Sequence, residues 1–163
     1  MKTTVLATAL LMFAALSAAG QGCWPAGANK ANPRTNCPHY DAKNLVCWVG
    51  LEDKEYFTKG HPAIHLRANA EKLAFCTNDA NRPFRILEFR EMNPRNNCSE
   101  PRITSRDPFQ NEHYPKHEKG QSEDYATQKT TSKASKVAVG GCFKTTLEHP
   151  DRSVVDPHII IDQ

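Results

Sequence analysis

Beyond Leu16 the sequence has no apolar run approaching transmembrane length. A spanning helix needs about 20 apolar residues, so none is expected in the body of the chain. The polar end at Asp162-Gln163 predicts no lipid anchor there, and no membrane partner is expected. Charge of either sign is never concentrated. There are 21 basic and 18 acidic residues, and no run of four basic residues occurs. A balance so mild leaves no electrostatic footprint for nucleic acid or anionic lipid. Familiar enzyme signatures are missing too. The chain has no Gly-x-Ser-x-Gly, no glycine-rich phosphate loop before a helix and no His-Glu-x-x-His. A non-enzymatic protein is therefore expected.

What is present begins with a secretory signal. Met1 and Lys2 open the chain, Val5 to Leu16 is an apolar run of twelve residues, and small residues follow at Ser17-Ala18-Ala19-Gly20. That order of positive, apolar and small-residue segments predicts removal of residues 1–20 and export of the rest. Residues 21–163 then form one small domain, with 20 basic and 18 acidic residues once Lys2 is gone, a net of +2. All six cysteines lie in that part: Cys23, Cys37, Cys47, Cys76, Cys98 and Cys142. An even count in an exported chain predicts up to three disulfides, with 15 connectivities open.

Residues 21–44 are rich in Pro, Gly, Asn and Cys and predict an irregular arm. Leu45 to Leu51 predicts a strand. Pro62 to Cys76 predicts a helix: Pro62 suits a first helical position, and Leu66, Ala70, Leu73 and Thr77 fall at spacings of four, three and four. Phe84 to Phe89 predicts a strand. Four prolines between Pro94 and Pro115 exclude helix there, at about 3 kcal/mol for each interior proline. Residues 116–136 are almost wholly polar and predict a mobile loop. Val137 to Leu147 predicts a strand interrupted at Gly140-Gly141, and Val154 to Ile161 a last strand placed at an edge or broken in two by Pro157. The sum is an α+β domain: a small antiparallel sheet with one helix, an irregular cysteine-containing arm and a long polar loop.

One constellation suggests metal. His61 and His65 are four residues apart, as are His113 and His117. On a helix, two imidazoles at that spacing share a face and can bind one zinc with two thiolates. Cys37, Cys47, His61 and His65 are therefore the candidate metal ligands. The alternative is a surface scatter of seven histidines with every cysteine oxidised, because a bridged sulfur cannot ligate zinc. The cysteine spacings are wider than a finger requires: nine residues separate Cys37 from Cys47, and twenty-one separate Cys76 from Cys98. Arg82, Arg85, Arg90, Arg95, Arg102 and Arg106 are candidate phosphate contacts. Glu88, Glu91, Glu100 and Asp107 interleave with them, and an acid-paired surface is the other reading.

The signal, with Cys37, Cys47, His61, His65, Cys98, His113 and His117, resembles the small secreted effectors of plant-pathogenic fungi. Within them it is similar to the degenerate zinc-finger class called host transcription reprogramming factors. That resemblance implies a virulence protein that enters host cells, reaches the host nucleus and regulates transcription by binding host DNA. Its zinc would be held in the Cys/His region. Thr58 stands where the class carries a helical Leu before His61. A disulfide-stapled extracellular effector or toxin, directed at a host protein, is the alternative. A second one is a small ribonuclease. Tyr114-Pro115-Lys116-His117 with Glu112 and Glu118 resembles the acid–base set of the guanyl-specific fungal ribonucleases, where two side chains trade protons with the ribose and the leaving oxygen.

Overall fold

The computed structural model describes residues 22–28, 30–53, 56–57, 62–94, 98–110 and 125–163. Among them it has nine strands and no long helix. The strands are β1 (His39–Asp41), β2 (Val46–Gly50), β3 (Ile64–Arg67), β4 (Lys72–Cys76), β5 (Arg85–Met92), β6 (Gln128–Thr130), β7 (Cys142–Glu148), β8 (Val154–Val155) and β9 (His158–Asp162). They form two sheets. One has the order β1-β2-β4-β6; the other has β3-β9-β7-β5, with β8 paired to β7.

The chain is therefore mostly sheet, and the expected α+β architecture is corrected. The predicted helix over Pro62–Cys76 is instead β3, a turn at 68–70 and β4. Ile64 and Leu66 are buried while His65 and Arg67 are only partly so, the two-residue alternation of a strand. Asn69 takes a left-handed φ of 58°, which Asn tolerates better than most residues and a continuing helix does not allow. The turn is fastened by the buried Glu71 carboxylate. It accepts the Arg67 backbone N–H at 2.8 Å, the Arg67 Nε–H at 3.1 Å and the Tyr40 hydroxyl at 2.7 Å.

From β2 to β7 each successive strand lies in the other sheet. Two of the pairings are parallel, β2 with β4 and β3 with β9, while β4 with β6 and β5 with β7 are antiparallel. Between the sheets lies one core, with Cys47, Val49, Leu73 and Phe75 from the first and Leu66, Phe89, Phe143, Leu147 and Ile159 from the second. The first sheet is covered on its other face as well. Val46, Trp48, Ala74 and Cys76 point there, and the arm residues Cys23, Trp24 and Ala28 pack on them. This explains why β2 is buried at all five positions.

Other expectations meet the structure as follows. Pro157 splits the last strand into β8 and β9, both on the same side of β7. Gly140, at φ 75°, lies before β7 rather than within it. The stretch 116–136 includes β6, paired with β4; residues 116–124 lie outside the described residues. Signal residues 1–20 also lie outside them. No helix among the described residues is long and apolar enough to cross a membrane.

Candidate functional site

The cysteines form three disulfides: Cys23–Cys76, Cys37–Cys47 and Cys98–Cys142. No cysteine is free. Bridges of this density in a small domain fit an extracellular location. The expected zinc is corrected on the same ground. Cys37 and Cys47 are joined to each other, and a sulfur in a cystine has no thiolate to offer a metal. His65 sits on β3 with its Nδ1 at 3.1 Å from Asp162 Oδ2 on the neighbouring β9. His61 lies outside the described residues. From Pro62 onward the backbone is not helical, so the shared helical face assumed for His61 and His65 does not form there. Among the described residues no group of three or more His, Cys, Asp or Glu is placed to hold a metal ion.

The arginines with described contacts are committed to acids within the fold. Arg85 meets Glu148 at 2.7 Å, and both side chains are nearly buried. Arg102 and Arg106 converge on Glu91, which is fully buried. Arg82 reaches Asp151 at the surface. Arg95 lies outside the described residues, as do His113 of the second histidine doublet and Glu112, Tyr114, Pro115, Lys116, His117 and Glu118 of the ribonuclease set. His149 is buried, with its Nδ1 at 3.0 Å from the Pro83 carbonyl. That contact ties it to the fold.

A cleft of about 230 Å³ opens beside the edge strand β1. One side is the arm segment 31–39; the other is the turn that starts at Asp53, together with Pro62. Its apolar surface comes from Pro33, Pro38, Pro62 and Tyr56, its polar surface from Asn32, Asn36, His39 and Asp53. Asp53 begins the turn because its Oδ1 accepts the Tyr56 N–H at 3.1 Å, the usual service of an Asp at a turn start. Its Oδ2 lies 2.9 Å from His39 Nε2. Both side chains are more than four-fifths covered, at 18% and 13% exposure, so the pair is screened little by solvent.

Three local features hold this pair. The Cys37–Cys47 bridge ties the arm to β2 two residues before His39. Trp24 stacks on the His39 ring, with centroids 3.3 Å apart and planes 11° from parallel. Gly50 leaves space for that indole, since a Cβ there would lie 2.7 Å from it. Tyr56 is buried and donates its hydroxyl proton to the Pro62 carbonyl at 3.1 Å. Burial, and then the Asp53 charge, push the Tyr56 hydroxyl far above the usual phenol range, so it stays protonated.

Chemically the cleft offers an imidazole oriented by a carboxylate. Among its described lining residues there is no Ser or Thr, and the one cysteine, Cys37, is bridged. The described residues there can bind and can exchange a proton, but they supply no nucleophile for covalent catalysis. Reasoning from the sequence missed this site. His39, Asp53 and Trp24 have no motif spacing, and they meet only through the β1–β2 hairpin and the folded-back arm. No known protein family, curated protein or solved structure matches the chain.

Proposed function

We propose that the protein is a secreted, disulfide-stapled effector of the extracellular kind, which acts by binding a host component at the cleft beside β1. The nuclear reading relied on zinc held by free thiolates, and the bridged sulfurs withdraw that support from it. The observation that carries the reading is the His39–Asp53 pair. It is positioned by a stacked tryptophan and an adjacent cystine, and it faces a cleft with no nucleophile among its described lining. Few convergent polar groups in a mostly apolar recess are the ordinary form of a binding site.

The test has two parts. Mass spectrometry of protein recovered from host tissue, with and without alkylation, should show three intact bridges. The His39→Ala, Asp53→Ala double variant, if folded by circular dichroism, should lose its effect on that tissue. Full effect from the folded double variant would overturn the proposed site, and alkylatable cysteines at the place of action would overturn the extracellular reading.

A further inference from the structure

The inference concerns what the cleft takes, and it rests on the binding reading above. Among the charged residues described in its lining there is a carboxylate, Asp53, and no Lys or Arg. The donors there are largely spent within the protein. The Asn36 amide donates to the Ala63 carbonyl at 3.0 Å, the Tyr56 hydroxyl to the Pro62 carbonyl at 3.1 Å, and His39 Nε2 lies 2.9 Å from Asp53 Oδ2. Asn32 is the exception, because its Oδ1 accepts the Arg34 N–H and its amide hydrogens have no described acceptor. A carboxylate offers about four acceptor positions, and two are used by described groups. Counted over its described lining, the cleft thus has more open acceptor positions than donors, and Asp53 is its one carboxylate. Its walls are three proline rings and a tyrosine, a surface against which a short methylene stem packs well. At about 230 Å³ it is smaller than a drug-sized pocket of 300 Å³ or more, yet large enough for one extended side chain.

We infer that the cleft binds an alkyl cation, an ammonium or guanidinium head on a short methylene stem. The head meets Asp53 and the stem lies on Pro33, Pro38 and Pro62. A basic side chain of a partner protein and a free small amine share this chemistry.

The experiment is an NMR titration of the oxidised protein with n-butylguanidinium, and with n-butylurea as its uncharged isostere. The amides of His39, Asp53 and Tyr56 should shift saturably with the cation, and the urea should bind at least ~10-fold more weakly, the scale of a lost charge-assisted hydrogen bond. Asp53→Asn should lose the preference for charge. Because that change touches the turn, a second variant guards the result. Asn32→Asp keeps the acceptor for the Arg34 N–H, adds a carboxylate to the lining and should tighten the cation several-fold. Equal binding of cation and urea, or no gain in Asn32→Asp, would overturn the cationic ligand while leaving a binding cleft in place. A Gly-Arg-Gly peptide that binds more tightly than butylguanidinium identifies a partner's side chain as the source, and a weaker one identifies the free cation.

Discussion

At the scale of single residues, the fold is held by a few buried polar groups that are almost all satisfied. Glu91 shows how. Burial pushes its carboxyl up, but the Arg106 side chain and backbone, with the Arg102 charge, together hold it below the usual range. Glu148 behaves in the same way: burial raises it, and Arg85 and Arg152 outweigh that. Asp41 is lowered by the Asn44 side chain, then by backbone N–H groups of the turn. The sign for stability follows. A carboxyl titrating lower in the folded chain than in the unfolded one stabilises fully above its unfolded value, 4.5 for Glu and 3.8 for Asp. That stabilisation drains away as pH falls through the folded value. Thermal melts should therefore drop steadily from about pH 5 to about pH 2. Glu91→Gln should flatten part of that slope while lowering stability at neutral pH by about 1–3 kcal/mol, because charge-assisted hydrogen bonds to a buried carboxylate are lost while the two arginines stay partly solvated. The exception to satisfaction is Thr145, fully buried on β7, whose hydroxyl has no partner among the described residues. Thr145→Val should raise stability by about 1 kcal/mol in urea melts, since it removes an unpaired polar atom at nearly constant shape. A loss of stability would mean that the hydroxyl is hydrogen-bonded after all.

At the scale of elements, the arm and β4 depend on each other. β4 is buried on both faces because the arm covers the outer one, and Cys23–Cys76 fastens the arm there. Opening that bridge in a Cys23→Ser, Cys76→Ser variant should cost about 2–5 kcal/mol. It should also free Trp24 from its stack on His39, read as a change in tryptophan emission. An unchanged spectrum would show that the stack holds without the bridge. The same pair explains where reasoning from the sequence worked and where it failed. Strand β2 was legible because its apolar run is short and bounded. The break of the last strand was legible because a proline cannot donate to a ladder. The helix over Pro62–Cys76 was a false signal. Leu66, Ala70, Leu73 and Thr77 share a helical spacing by coincidence. The competing alternation in β3 spans only four residues, and β4, apolar on both sides, has no alternation to show.

At the scale of the whole molecule, the strands from β2 to β7 alternate between sheets, and four of the seven described strand pairings join distant parts of the chain. The cleft is a product of that arrangement. His39 comes from β1, Asp53 from the far end of the β2 hairpin arm and Trp24 from the N-terminal segment, and no short window of sequence contains all three. The six cysteines by themselves determined that bridges would form, and local composition determined where several strands and turns begin and end, since both depend on residues near one another or on simple parity. Only the tertiary structure decided the pairing of the cysteines, the folding of 62–76 as two strands rather than a helix, and the meeting of His39 with Asp53. Those depend on which distant surfaces bury one another, and a burial that closes loops of 53 and 44 residues leaves no trace in local periodicity.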